Sequence, residues 1–240
     1  MTKRIAMWSG PRNLSTAMMY AFAARGDTRV WDEPFYAAYL DKTGLDHPMR
    51  EVVIASGEPN TDKVAEALLA PCAEPIFYQK HMCQHMIDGV PRGWMKEVTN
   101  AFLIRHPARV VASFAAKHDV LSLTDIGFAQ QTELFEEVAD HLGHAPVVID
   151  SADIRRAPEA ALTKLCAALG IPFTKDMLTW EAGPKPFDGV WASHWYNAVH
   201  RSTDLHAPEG EYPPLSAEQS RTVEAALPHY ERLAAFRIIP

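Results

Sequence analysis

Arg4-Ile5-Ala6-Met7-Trp8-Ser9-Gly10-Pro11-Arg12-Asn13-Leu14-Ser15-Thr16 is the stretch that decides how the rest of the chain is read. Residues 4–9 are a short, mostly apolar run of strand length, and Gly10-Pro11 breaks it. Residues 14–25 follow with Met18, Met19 and Phe22 on one side, which predicts a helix beginning near Asn13. A strand that turns directly into a helix aims the helix's free N–H groups at the loop, and these attract phosphate oxygens together with the helix dipole. Arg12 adds a fixed positive fork, and Ser15 and Thr16 add hydroxyl donors. The same residues would also serve an ordinary strand-to-helix turn with Asn13 or Ser15 as N-cap.

The alternation continues outward. Residues 28–32, 75–80, 99–105 and 147–150 read as further short strands, with helical patterns at 124–142 and at 158–169, the latter stopped by Gly170. A helix starts around Pro107, because proline lacks only an N–H that would be unpaired at the first helical position. Residues 216–235 close the chain as a helix. This order predicts an α/β fold of three layers, a central and mainly parallel sheet flanked by helices. At 240 residues the chain holds one substantial core, so residues 1–240 are read as a single domain. Residues 183–214, rich in proline, tryptophan and histidine and without periodicity, are too long for a simple connector and are a candidate active-site lid.

Composition narrows the function. Hydrophobic residues at 48% and charged residues at 22% are ordinary for a soluble globular protein. A net charge of −7 argues against a general nucleic-acid binder, which needs a basic surface to displace counterions, and leaves room for a local basic pocket. Cys72, Cys83 and Cys166 are widely separated, offering neither a metal-ligand spacing nor an even disulfide framework. A reducing compartment is therefore expected. The N-terminal apolar run is too short for a signal peptide or a membrane span, so a cytoplasmic protein without a membrane partner is expected.

A second anion motif strengthens the first. Leu103-Ile104-Arg105-His106-Pro107-Ala108-Arg109-Val110-Val111-Ala112-Ser113-Phe114 runs from a strand end into a helix. Arg105 stands at the carboxyl end of its strand, where open α/β sheets bind ligands. Ser113 lies about two turns into the helix. Two anion sites on separate strand ends suit a nucleotide phosphorylated at both its 3′ and 5′ positions.

These residues resemble a known family. Pro11-Arg12-Asn13-Leu14-Ser15-Thr16 resembles the Pro-Lys-Ser-Gly-Thr-Thr loop of sulfotransferases that use PAPS (3′-phosphoadenosine 5′-phosphosulfate), a loop that holds the 5′-phosphosulfate. Asn13-Leu14 stands for Ser-Gly, and Ala17 stands where many cytosolic members carry an adenine-stacking tryptophan. Arg105-His106-Pro107 with Ser113 resembles the family's 3′-phosphate motif, with His106 in place of the usual Asn or Asp. Gly189-Val190-Trp191-Ala192-Ser193-His194 resembles a C-terminal segment that closes over the 3′-phosphate, and Lys185 is a candidate cation there. The resemblance implies a P-loop NTPase-like fold, PAPS as donor substrate with 3′,5′-adenosine bisphosphate as product, and no metal. It implies transfer of a sulfuryl group to a hydroxyl or amine of a small-molecule acceptor.

Such a transfer needs the nucleophile aligned and the charge on the leaving oxygens stabilised. Arg12 and the loop N–H groups suit the leaving group. An acceptor hydroxyl also needs a base. Tyr78-Gln79-Lys80-His81-Met82 resembles the family's Lys-Thr-His segment, in which lysine contacts the transferring group and histidine is the base. Lys80 and His81 are adjacent, one residue short of that spacing, so only one holds its familial position without a bulge. His81 is placed slightly ahead as base, with His85 a weaker neighbour, because an imidazole titrates near neutral pH. The rival is Glu33 in Trp31-Asp32-Glu33-Pro34-Phe35-Tyr36, which resembles an arrangement in some bacterial carbohydrate sulfotransferases with a glutamate in the acceptor pocket. Trp31, Phe35, Tyr36, Tyr39, Trp191, Trp195 and Tyr196 are candidates for an apolar pocket or sugar platform.

Two alternatives stay open. A magnesium-dependent P-loop nucleotide kinase shares the fold, but it wants a Gly-Lys-Ser/Thr ending and a carboxylate for the metal, which neither Leu14-Ser15-Thr16 nor the neighbourhood of Arg105 supplies. A non-catalytic sulfotransferase-like domain that binds a nucleotide or a partner would carry the same motifs.

Overall fold

The computed structural model describes residues 2–115, 122–205 and 207–240. In chain order it contains β1 (Lys3–Ser9), α1 (Ser15–Ala23), β2 (Thr28–Asp32), α2 (Tyr36–Thr43), α3 (Arg50–Ser56), α4 (Thr61–Leu69), β3 (Ile76–Met82), β4 (Thr99–Ile104) and α5 (Pro107–Ala115). Then come α6 (Phe128–Leu142), β5 (Val147–Asp150), α7 (Ser151–Arg156), α8 (Pro158–Leu169), α9 (Ala192–Trp195) and α10 (Ala217–Ala234). The five strands form one sheet in the order β2-β3-β1-β4-β5, with every neighbouring pair parallel.

β1 lies at the centre, and its side chains alternate between two apolar layers. Ile5 and Met7 join Met18 and Phe22 of α1 and Leu162, Leu165 and Leu169 of α8. Ala6 and Trp8 join Leu134 and Phe135 of α6 and Leu233 of α10. Both faces are dry, which is why the run reads as continuously apolar rather than alternating with polar residues.

The expected α/β architecture is present, and local punctuation explains several boundaries. Pro107 is the first residue of α5, Gly170 ends α8 in the left-handed region at φ 71°, and Ser216 and Gln219 form a capping box on α10. The helix expected over 124–142 begins later, at Phe128, because Gly127 takes a left-handed φ of 68° and closes a turn first. The strand expected over 75–80 runs on to Met82. α2, α3 and α4 fall in a region where the sequence reading assigned nothing. Each is nine residues or shorter, too short to establish a helical repeat.

Connectivity sets where a ligand can bind. β1 leads through α1 to β2 on one side, whereas β4 leads through α5 and α6 to β5 on the other. The crevice between β1 and β4, at their carboxyl ends, is the topological switch point of the sheet. The 183–214 stretch, apart from residue 206, which lies outside the described residues, packs against that edge rather than standing free. Tyr20 OH donates to Asp188 Oδ2 at 2.7 Å, and Gly189 N donates to Asp32 Oδ2 at 3.2 Å. Among the described residues no helix is long and apolar enough to cross a membrane.

Candidate active site

The loop after β1 is held in an unusual backbone. Gly10 is required by a close approach, since a Cβ there would lie 2.5 Å from the Ile126 carbonyl oxygen. Arg12 (φ 63°) and Leu14 (φ 72°) both occupy the left-handed region, which costs a non-glycine residue about 1–2 kcal/mol. Leu14 stands where the resembling loop has glycine, so this chain carries strain that glycine would avoid. Asn13 does not cap α1. Its side-chain amide donates to Leu103 O at 3.4 Å and ties the loop to the end of β4. The N-cap of α1 is Leu14, with no side-chain hydrogen bond to the first turn and no acidic residue in it. Ser15 and Thr16 are the first two residues of that helix. Its leading N–H groups thus donate no hydrogen bond to the N-cap side chain.

The segments that follow β1 and β4 meet across the switch point. Arg12 Nε donates to Ser113 Oγ at 2.9 Å, and Arg105 Nη1 donates to Arg12 O at 2.6 Å. Burial first and the Arg105 charge second lower the Arg12 pKa, a sign of cations held together out of water. Arg105 also pairs with the Glu209 carboxylate. His106 stands just before α5. Its Nδ1 accepts from Ala108 N at 3.3 Å, so it caps the start of α5, and its ring packs on Tyr212 and Tyr230.

A second cluster lies at the ends of β2 and β3, where the parallel register sets Asp32 beside Lys80. Lys80 is 1% exposed. Its Nζ donates to Glu33 Oε1 at 2.6 Å, to Tyr196 OH at 2.7 Å and to Asp32 Oδ1 at 2.8 Å. An ammonium has three donors, and all three are used. Tyr196 OH in turn donates to Asp32 Oδ2 at 2.7 Å, and Trp191 Nε1 donates to Tyr196 OH at 3.1 Å. Desolvation would lower the Lys80 pKa, but the facing Asp32 and Glu33 charges outweigh it and raise the value, so the ammonium stays charged. Burial raises the Asp32 pKa, with Lys80 opposing. Glu33 sits at φ 43°, and its N–H donates to Lys80 O at 3.0 Å, which fixes the side chain over the cluster.

Beyond Glu33 lies an aromatic wall. His85 is stacked between Tyr36 and Tyr39, with ring centroids 4.9 and 4.7 Å away. Its Nε2 is 4.0 Å from Glu33 Oε2, and its buried Nδ1 has no hydrogen-bond partner among the described residues. Burial first, then the charges of Lys80 and His47, hold its pKa well below the ordinary value.

Three expectations need correction. His81 does not join Lys80, because successive strand residues face opposite sides of the sheet. It stacks on Trp8 at 4.5 Å and packs against Phe35 and Trp94 in the core, with only Gln79 Oε1 near its Nε2, at 3.4 Å. An imidazole so enclosed is ill placed to act as base. Trp191 does not cover Arg105. It packs on Tyr36 and bonds Tyr196, on the Lys80 side, and Gly189 is required because a Cβ there would collide with the Trp191 ring. Lys185 donates to Glu181 O at 2.7 Å instead of facing an anion site. Asp32, Arg155 and Glu209, which the sequence reading gave no role, join these two clusters, and Tyr196, read there only as a pocket aromatic, bonds Lys80 and Asp32. For Asp32 a signal existed in its place at the end of a strand beside Glu33. For the others the approach is purely tertiary.

The burial of His81 has a measurable consequence. Burial, with a smaller contribution from His85, pushes its pKa down to about 3, whereas in the unfolded chain it titrates near 6.5. Between those values the unfolded state binds more protons, so this contribution is present above about pH 6.5 and is lost as pH falls. At pH 5 the loss approaches about 2 kcal/mol. In His81→Leu the stability difference between pH 8 and pH 5, read by denaturant unfolding, should shrink by that amount. An unchanged pH dependence would show that His81 is not buried neutral.

Comparison with known proteins agrees with this fold. The sulfotransferase domain of the Synechococcus PCC 7002 olefin synthase superposes with a TM-score of 0.51 at 16% identity, covering 93% of this chain and 94% of that one. The sulfotransferase domain from the curacin biosynthetic pathway gives 0.53 at 15% identity, covering 100% and 99%. Mouse sulfotransferase SULT7A1, solved in complex with PAP, gives 0.50 at 12% identity, covering 96% and 85%. Branched-chain-amino-acid aminotransferase-like proteins 1 and 2 of Arabidopsis thaliana are 39% and 38% identical to this chain over 95% and 87% of its length. This chain spans only 41% and 37% of those proteins, so the names describe molecules of which it matches less than half. The family described as Sulfotransferase domain matches residues 3–237, a span that includes Arg12, Arg105 and the Lys80 cluster, and this chain therefore belongs to the sulfotransferase family.

Proposed function

We propose that this protein transfers a sulfuryl group from PAPS to a hydroxyl of a small-molecule acceptor. The observation that carries the reading is the direct joining of the two anion motifs, Arg12 Nε to Ser113 Oγ and Arg105 Nη1 to Arg12 O. One contiguous cationic crevice thus serves both ends of a nucleotide phosphorylated at its 3′ and 5′ positions. The N–H groups at the start of α1 and the Arg12 guanidinium suit the 5′-phosphosulfate, where negative charge grows on the leaving phosphate as the sulfuryl group departs. Arg105 and Ser113 suit the 3′-phosphate.

Glu33 is the group best placed to take the acceptor's proton. Its Oε1 is held by Lys80, while Oε2 faces the aromatic wall of Tyr36, Tyr39 and His85. Lys80 then acts as a positioning residue. All its donors point at protein groups, and its contribution is to hold Glu33 and Asp32 in place.

The test is calorimetric titration of the purified protein with 3′,5′-adenosine bisphosphate, beside ATP with and without magnesium. Metal-independent binding of the bisphosphate is expected. Arg105→Ala should weaken it by about 100-fold, the value of two charge-assisted hydrogen bonds. Preference for magnesium-ATP would replace the reading with a kinase, and binding of neither nucleotide would overturn it.

A further inference from the structure

Three arginines from separate parts of the fold converge on one carboxylate. Arg105 follows β4, Arg109 lies on α5 and Arg155 on α7, and all three meet Glu209. The Glu209 side chain is 8% exposed, although it belongs to an irregular segment on the outside of the sheet edge. Backbone carbonyls of the same segment add to the clasp. Ala207 O accepts from Arg155 Nη1 at 3.3 Å, Glu211 O accepts from Arg109 Nη1 at 3.2 Å, and Gly210 O accepts from Arg109 Nη2.

The match between the arginines and their carboxylate is incomplete. Among the described residues one carboxylate pairs with the three arginines, and like charges packed in a half-buried site repel one another. Burial first and the neighbouring Arg105 charge second lower the Arg155 pKa, with Glu209 opposing. Among the described residues the buried Arg105 Nε and Arg155 Nε donate to no acceptor. Glu209 Oε2 lies 2.9 Å from Arg109 Nε yet makes no aligned hydrogen bond among the described residues. A carboxylate offers two oxygens in one plane. A phosphate monoester offers three terminal oxygens in a tetrahedral array and up to two charges, which is what three guanidinium edges at different angles call for.

We propose that Arg105, Arg109 and Arg155 together form the site for the terminal 3′-phosphate of the donor nucleotide, and that Glu209 occupies it in the free protein as an internal competitor. The inference rests on the donor reading above and goes beyond it in two respects. Arg155 lies outside both sequence motifs and becomes a ligand-binding residue, and the 207–211 segment must leave its place when nucleotide binds. The affinity of the free protein is then reduced by the fraction of molecules in which Glu209 holds the site. Neutralising Glu209 removes that competition, whereas removing Arg155 removes a ligand.

The experiment is calorimetry on the full chain with two probes, 3′,5′-adenosine bisphosphate and 5′-AMP, which lacks the 3′-phosphate. Their affinity ratio on one preparation is insensitive to any fraction of unfolded protein. Glu209→Gln should raise the bisphosphate affinity about tenfold and leave 5′-AMP within about twofold. Arg155→Ala should lower the bisphosphate affinity about tenfold, again with 5′-AMP unmoved. If Arg105→Ala weakens bisphosphate binding by about 100-fold while neither Glu209→Gln nor Arg155→Ala changes the ratio by more than about twofold, the clasp is structural and this inference is overturned with the donor reading intact. If the bisphosphate binds neither the wild type nor Glu209→Gln, both fall.

Discussion

Replacing Lys80 with methionine should destabilise the protein by about 3–5 kcal/mol at pH 8, the cost of leaving buried charge without its partner. Methionine fills much of the same volume but leaves Asp32 and Glu33, which now share one ammonium at 2.8 and 2.6 Å, facing each other without a cation. Tyr196 OH and Gly189 N would still serve Asp32, but neither carries charge. Two carboxylates in one buried site cannot both stay ionised cheaply, so the variant pair should hold a proton at a pH where the unfolded chain has lost it. The sign follows from linkage. A carboxylate whose folded pKa is raised binds more protons folded than unfolded, so stability falls as pH rises above the unfolded value. The deficit of Lys80→Met relative to the wild type should therefore be smaller at pH 5.5 than at pH 8. Urea unfolding at the two pH values measures it, and an equal deficit at both would mean that the carboxylates are not the cause. Catalysis should also be lost, because Glu33 would no longer be held.

Glu33→Gln separates catalysis from architecture. The amide oxygen can still accept from Lys80, so Asp32, Tyr196 and the strained backbone at residue 33 keep their partners. What disappears is the capacity to take a proton. Turnover should fall by about 10²–10⁴, the usual contribution of a positioned general base, while bisphosphate affinity stays the same because Glu33 does not belong to the Arg12–Arg105 crevice. The measurement is single-turnover sulfation, using labelled donor and the first alcohol, phenol or sugar that a panel shows to be accepted. Wild-type turnover in Glu33→Gln would remove the carboxylate from the chemistry and turn attention to His85, whose Nε2 lies 4.0 Å from Glu33 Oε2 and whose Nδ1 has no partner among the described residues.

The contrast between Glu33 and His81 shows where reading the chain alone reached its limit. Both stand near strand ends, both carry groups suited to proton transfer, and both match a familial segment. The period-2 alternation of β3 already places Lys80 and His81 on opposite faces. Which face looks into the cleft is decided by what packs on each. Trp8, Phe35 and Trp94 close over His81, and Tyr196 from the far end of the chain closes over Lys80 without sealing off Glu33. A motif match carries no information about a residue more than a hundred positions away. Trp191 makes the same point. Its Gly-x-Trp setting was visible, but its packing on Tyr36 rather than near Arg105 depends on how α9 docks against α2.

What the sequence determined by itself is local and repetitive. The alternation of short apolar runs with helical patterns specifies the parallel sheet and the order of its elements, because a strand buried on both faces and a helix buried on one leave different periodicities. The Gly10-Pro11 break and the Arg105-His106-Pro107 run likewise specify two strand-to-helix turns, because the positions of helix starts follow from neighbouring residues. Only the tertiary structure decided the rest. It set Arg12 against Ser113, exhausted the three donors of Lys80 on Glu33, Tyr196 and Asp32, and brought Arg155 and Glu209 to the crevice. Those contacts join residues as far apart in sequence as Lys80 and Tyr196, and only the packing of the whole sheet and its covering segment brings such residues within hydrogen-bonding distance.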